Sequence, residues 1–373
     1  MKKVVAFVLL VMLFAKPQTV WAQDYTEEIL EELELEEVDE QLEIGTDKID
    51  FESLVSAFTE KGMEGIDKEM LGDYVFDLLF YELEKAGPMF VEILSVSFIF
   101  ALFGKVLVTK KGYVSELGFF TVYTGIMLLL LQSFSLIGEV VEAGVEKVVS
   151  FMTAFIPTYA ATLMLTGGGA SAGAFYELAF GLIYLLELGM KFVFLPGIPV
   201  FVLILLLDHF FEEPKLSKLA KLIEDGIRLL MKMGVAAVVG LGVVQSLLAP
   251  AKDRLAASSL YHGLEAVPGV GNTFGAAGEI LVGCGIMIKN SVGAAALVLL
   301  LVLWLVPLLK VFCFYAMYRV TAAVLWPFCD RRIAKCVQDV ARGSSLYLTL
   351  ILDIMLLFFI TISVIGAASG FIC

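Results

Sequence analysis

Five charged residues lie within or beside strongly apolar runs of this 373-residue chain: Glu92, Glu177, Glu187, Arg319 and Asp353. A charge at the centre of a membrane helix costs about 2.5–3.5 kcal/mol on insertion scales, so each is a candidate for ion handling or for pairing between helices. The pairing reading has Arg319 neutralised by a carboxylate. It also has Glu187 meeting Lys191, four residues on and on the same helix face. A second set of candidates is built on glycine and proline. Pro157 precedes Gly167, Gly168, Gly169 and Ser171; Pro268 precedes Gly269, Asn272 and Thr273. Broken backbone at membrane depth needs polar company from protein or from a water-lined cavity. The two turns are therefore expected to face one another and line a central cavity. The competing reading is close helix packing through small residues.

Hydrolytic or redox chemistry finds no comparable set. His209 and His262 are isolated in sequence. The cysteines, at 284, 313, 329, 336 and 373, form no C-x-x-C pair and mostly border apolar runs, against a zinc site or a disulfide framework. Gly167-Gly168-Gly169 and Gly269-Val270-Gly271 follow no strand and precede no Lys-Ser/Thr, so they are poor phosphate loops. The expectation is a protein that is not an enzyme, with no cofactor and no metal.

The elements that must position these residues are membrane helices. Mean hydropathy is +0.89 and only 18% of residues are charged. Several runs reach the roughly 20 residues that a spanning helix needs. The chain opens with Lys2-Lys3, an apolar run from Val4 to Ala15, and small or turn residues up to Ala22. This predicts a signal peptide over 1–22, cleaved after Ala22; an uncleaved anchor is the alternative, because Lys16 is unusual there. Between Asp24 and Glu43 stand eleven acids and no Lys or Arg. Such a block argues against binding nucleic acid or anionic lipid by charge, while the apolar runs make the lipid bilayer the expected surroundings.

The fold expected is an all-α polytopic membrane protein with two parallel repeats, each holding a Gly/Pro-broken helical hairpin. The division is 23–87, an exported acidic and amphipathic segment; 88–116, a first span and cytoplasmic loop; 117–228 and 229–342, the repeats; and 343–373, a final span and external tail. The repeat rests on a gapless match between Lys218–Arg228 and Arg332–Arg342. Ala220 matches Ala334, Lys221 matches Lys335, Asp225 matches Asp339, and Arg228 matches Arg342. Pro157 with Pro268 and Pro196 with Pro307 add anchors in the same order. Lys218, Lys221, Asp225 and Arg228 are expected on one face, and Leu219, Leu222, Ile223 and Ile227 on the other. Within the repeats, a span is expected at 117–138, an external loop at 139–147, and a broken helix or hairpin over 148–176, interrupted by Pro157 and the turn at 167–173. Further breaks are expected at Leu195–Pro199 and at Pro307. The basic clusters at 105–111, 215–232 and 331–342 predict three cytoplasmic regions. That requires about ten crossings, or about six if the hairpins are re-entrant.

Taken together, the leader, Phe155-Ile156-Pro157-Thr158-Tyr159, the glycine-rich Thr166–Gly173, Ala266-Val267-Pro268-Gly269 and the Lys218–Arg228 helix resemble the stage III sporulation protein AE family of endospore-forming bacteria. The resemblance covers nearly the full length and rests on order more than on any one motif. It implies a multipass protein in the mother-cell membrane around the forespore; the leader and the charge bias predict both termini external. It also implies assembly with other stage III sporulation proteins, including an ATPase, into a transenvelope channel or secretion complex needed for forespore development. It implies no catalytic residues. The alternative raised by the residues themselves is a stand-alone secondary transporter or permease with a parallel repeat.

Overall fold

A run of charges does not end a helix when its spacing leaves an apolar stripe intact. In a computed structural model of the chain, described over residues 80, 83–84, 86–99, 113–165, 169–209, 215–265, 271–329 and 331–369, the expected loop at 139–147 is helical. Glu139, Glu142, Glu146 and Lys147 point outward while Val141, Val145 and Val148 are buried, so one amphipathic turn joins two apolar halves. The predicted span and the first arm of the predicted hairpin are thus a single helix over Tyr113–Leu165.

The elements are α1 (Ala86–Ile99), α2 (Tyr113–Leu165), α3 (Gly169–Gly189), a π-helical turn (Met190–Phe194), α4 (Leu195–Asp208), α5 (Ser217–Glu265), α6 (Gly271–Leu325) and α7 (Arg331–Ser369). The described residues contain no strand. Among them, four stretches are long and apolar enough to cross a membrane: Tyr123–Met164, Ala172–Asp208, Asn290–Leu325 and Arg331–Ile362. The chain is all-α and membrane-embedded.

The proline breaks are absorbed rather than expressed. Pro157 lies inside α2 and Pro307 inside α6. Around Pro157, Phe155, Ile156 and Tyr159 are fully packed, which holds the helix together across one missing N–H. Pro307 fits against Gly144 of α2, where an added Cβ would lie 2.8 Å from the proline Cβ. Pro196 falls in the first turn of α4, where a missing N–H is tolerated, and the preceding turn widens to a π-helix that takes up the register change. The glycine-rich turn is also shorter than expected, because Gly169 to Gly173 already belong to α3.

Helix direction follows from paired contacts. Phe175 of α3 packs edge-on against Tyr159 of α2 at 4.9 Å and against Phe155 at 6.4 Å, the register of an antiparallel hairpin. Gly293 of α6 approaches Tyr159 while Pro307 approaches Gly144, so α6 also runs opposite to α2. Gly138 lies on Tyr347 of α7, and Gly343 of α7 lies on Phe134, so α7 runs with α2. The final span lies at the centre of the bundle. α7 touches α2, α3, α4, α5 and α6, and Leu346, Tyr347, Leu350, Ile351, Ile354 and Phe358 are buried along it.

In lipid, burial gives little drive for helix association, so close packing and interhelical hydrogen bonds carry the bundle. Phe151, Phe155 and Tyr159 stack in a column along α2. Tyr318 Oη donates to Ser133 Oγ at 2.6 Å, and Ser133 passes its own hydrogen to the Leu130 carbonyl. Tyr123 Oη donates to the Leu206 carbonyl at 2.6 Å and accepts from Cys336 Sγ at 2.8 Å. Such bonds contribute about 0.6–2 kcal/mol each.

Candidate functional site

The two basic segments meet at one end of the bundle. Lys218–Arg228 begins α5 and Arg332–Arg342 begins α7. Neither contains a proline, and each keeps apolar residues at helical spacing, so each continues directly into a long helix despite Gly226 in the first. Arg342 Nη2 donates to Glu224 Oε2 at 2.8 Å, joining the segments. Arg228 donates to the other oxygen of Glu224 through Nε at 3.1 Å and Nη2 at 3.0 Å. Arg342 Nη1 reaches Asp339 Oδ1 at 3.2 Å. Asp339 Oδ2 meets His209 Nε2, the residue that ends α4, at 2.8 Å. Beside them the buried Asp208 accepts the Leu216 N–H at 2.6 Å and closes the loop between α4 and α5. The Arg342 guanidinium also sits 5.8 Å from the ring centre of Phe201.

This chain of polar contacts, His209–Asp339–Arg342–Glu224–Arg228, clamps the end of α4, α5 and α7 at a common level. Both acids are mostly enclosed and each takes two partners, the arrangement in which ion pairs hold geometry rather than merely decorate a surface. Sequence reasoning treated His209 as isolated and did not single out Glu224. The local signals were the Glu224–Arg228 spacing of four and the Asp339–Arg342 spacing of three; the 118-residue link from Glu224 to Arg342 had no local signal.

The predicted faces of Lys218–Arg228 are corrected here. Ala220 and Ile227 face the core, but Leu219 and Leu222 are exposed, and Arg228 is drawn inward by Glu224. The segment has three faces: core, exposed apolar and basic.

The residues singled out from sequence are dispersed. Glu92 on α1, Glu177 and Glu187 on α3 and Arg319 on α6 are exposed, and Asp353 on α7 is half-buried. None of the five has an ion-pair partner among the described residues, so the expected carboxylate for Arg319 is not supplied there. Lys191 does not pair with Glu187. The π turn begins at Met190 and carries Lys191 off the face, and its ammonium sits 5.7 Å from the Phe192 ring centre. Pro157 and Gly169 are exposed. Gly167, Gly168, Pro268 and Gly269 lie outside the described residues, as do the side chains of Ser171, Asn272 and Thr273, whose backbones are helical. No group of three His, Cys, Asp or Glu residues close enough to hold a metal occurs among the described residues.

The family model for stage III sporulation protein AE matches residues 49–369. The chain belongs to the stage III sporulation protein AE family. The stage III sporulation protein AE of Bacillus subtilis (strain 168) is 26% identical over 306 residues, covering 79% of this chain and 75% of that protein. No solved structure matches the chain. Family membership assigns the chain a role in sporulation, and its four long apolar helices place that role in a membrane.

Proposed function

We propose that the chain is a multipass, non-catalytic subunit of a transenvelope channel or secretion complex linking mother cell and forespore. It sits in the mother-cell membrane around the forespore and assembles with other stage III sporulation proteins, including an ATPase. One observation carries the need for protein partners. Leu128 and Met164, both on α2, are each 60% exposed. They stand about 54 Å apart along the helix at 1.5 Å per residue. A hydrocarbon core is about 30 Å thick, and even a tilt of about 40° leaves roughly 41 Å between them. The hydrocarbon core therefore does not span both, which fits a chain covered in part by another protein.

The stand-alone transporter reading needs polar groups converging inside the bundle. Among the described residues the buried polar side chains are hydroxyls and Asp208, and Asp208 caps a loop at the basic end. Affinity purification of the tagged chain from sporulating cells tests the choice. Stable stage III partners are expected; a chain isolated alone that moves solute in liposomes would overturn the proposal.

The basic end is the cytoplasmic side in this reading, with α2 up, α3 with α4 down, α6 down and α7 up as the four long apolar passes, and α1 down and α5 up assigned as two further passes. Both termini are then external. Residues 117–228 and 229–342 form two parallel copies in which a rising helix and a descending one each deliver a basic segment to the same side. Reporters after Lys111, Lys221 and Arg332 should read cytoplasmic, and reporters at Glu40 and Cys373 external. A cytoplasmic signal at residue 373 would break the even count.

A further inference from the structure

The last turns of α4 and the first turns of α5 form an antiparallel hairpin. Asp208 holds its end by accepting the Leu216 N–H, and Gly197 approaches Ile227 further along. The outward side of the hairpin carries an apolar crevice of about 440 Å³. Phe192, Pro196 and Val200, spaced by four, line one wall; Ile223, Gly226 and Leu230 line the other. Gly226 keeps it open, since an added Cβ there would meet nothing within 4 Å. At 1.5 Å per residue the α5 wall runs from about 9 to about 20 Å beyond Ser217. Asp208 ends a stretch apolar enough to span a membrane. The crevice therefore lies at the depth of one leaflet's acyl chains, a leaflet with its headgroups being about 20 Å thick.

We propose that the crevice is a site for one anionic phospholipid, with an acyl chain between α4 and α5 and the phosphate on Lys218 and Lys221. One row of residues four apart on α5 leads from headgroup to chain: Lys218, Leu222, Gly226 and Leu230. Lys218 and Leu222 are exposed, so the row is open from the basic end up to the crevice. Lys221, a turn from Lys218, is exposed too, and neither lysine has an ion-pair partner among the described residues. Asp225 shares their face but lies about 10 Å beyond Lys218, toward the hydrocarbon, so the outermost charges are both positive. Charge thus selects the headgroup, as at other basic sites between membrane helices. Volume selects the chain. A helix about 10 Å wide would fill about 800 Å³ over the crevice's length of about 10 Å, roughly twice the space present. The acids between Asp24 and Glu43, which would repel such a lipid, belong to the exported segment, across the membrane from this end in the topology proposed. The site holds whichever proteins the chain assembles with.

The test is native mass spectrometry of the delipidated full chain, titrated with phosphatidylglycerol or with phosphatidylcholine of the same acyl chains. The wild type is expected to bind one phosphatidylglycerol per chain, about fivefold or more tighter than phosphatidylcholine. The double variant K218Q/K221Q should bring phosphatidylglycerol down to the affinity of phosphatidylcholine and leave phosphatidylcholine unchanged. Gly226→Leu fills the crevice and should weaken both lipids about tenfold or more. Lys335→Gln, exposed at the same end but on α7, should change neither. Both lysines are exposed and Gly226 has room for a side chain, so unchanged thermal melts separate lost binding from lost folding. Equal affinity of the wild type for the two lipids would overturn the proposal. So would a folded Gly226→Leu chain that binds phosphatidylglycerol as the wild type does. A loss at Lys335→Gln as large as that of the double variant would also overturn it, because the basic end would then attract lipid diffusely and not at a site.

Discussion

The starts of α5 and α7 share four of eleven residues and one buried face, yet differ in what surrounds the rest. Leu219 is 46% exposed, and its match Ile333 is 3% exposed. Leu222 is 69% exposed, and its match Cys336 is 1% exposed. Ala220 and Ala334 are both buried, so one face is common to the two helices. The second apolar face is covered only in α7, by Tyr123 and Phe134 of α2 and by Val202 of α4. α5 lies at the edge and α7 at the centre. Periodicity makes each segment a helix, but the number of neighbours decides how much of its apolar stripe becomes core. The ion pairs differ in the same way. Asp339 lies inside the charge network, while its match Asp225 is exposed and the neighbouring Glu224 takes the arginines.

The largest effect is expected one residue past the match. Gly343 of α7 aligns with Leu229 of α5. A Cβ at Gly343 would run into Val202 and would lie 3.0 Å from the Phe134 ring, whereas Leu229 is exposed. Gly343→Leu should therefore abolish the folded protein, since even modest overpacking costs about 1–3 kcal/mol. Leu229→Gly should cost only the helix-propensity difference, about 1 kcal/mol or less. Monodispersity on fluorescence-detected size exclusion reads both. A well-folded Gly343→Leu protein would mean that α7 is not held tightly between α2 and α4.

Next comes truncation at a matched apolar pair. Ile333→Ala should destabilise by about 2–5 kcal/mol through a cavity in the core. Leu219→Ala should stay within about 0.5 kcal/mol. Thermal melts of the two variants in the same lipid give the comparison. Similar losses at both sites would place α5, like α7, in the interior, or would mark Leu219 as covered by a partner in the preparation.

These contrasts also show what was legible in the sequence. Helix and membrane follow from local period and hydropathy, and the basic clusters at 215–232 and 331–342 fall at the starts of α5 and α7, while 105–111 lies outside the described residues. The division into spans did not follow. Glu139 to Lys147 looks like a loop when charges are counted, and like a helix once Val141, Val145 and Val148 are given something to pack on. Pro307 looks like a break until Gly144, on another helix, makes room for it. The same limit applies to the site. The arginines were visible, but the carboxylate that joins them was not, because Glu224 and Arg342 are brought together by the bundle and not by spacing.

The smallest effect tests the link between the two segments. A double-mutant cycle with Glu224→Gln and Arg342→Gln isolates the term between α5 and α7. Arg342 is nearly half exposed, so water and salt screen the pair, and a coupling of about 0.5–1 kcal/mol is expected at low salt. It should shrink as ionic strength rises. Asp225→Asn combined with Arg342→Gln serves as the control, and its coupling should be indistinguishable from zero because Asp225 faces away. Arg228→Gln paired with Glu224→Gln should couple by a similar small amount, but within α5 alone, so it reports helix strength and not docking. A zero coupling between Glu224 and Arg342 would leave the two basic segments held together by Ala220, Ile227 and the rest of the buried face, with the ion pair only marking where they meet.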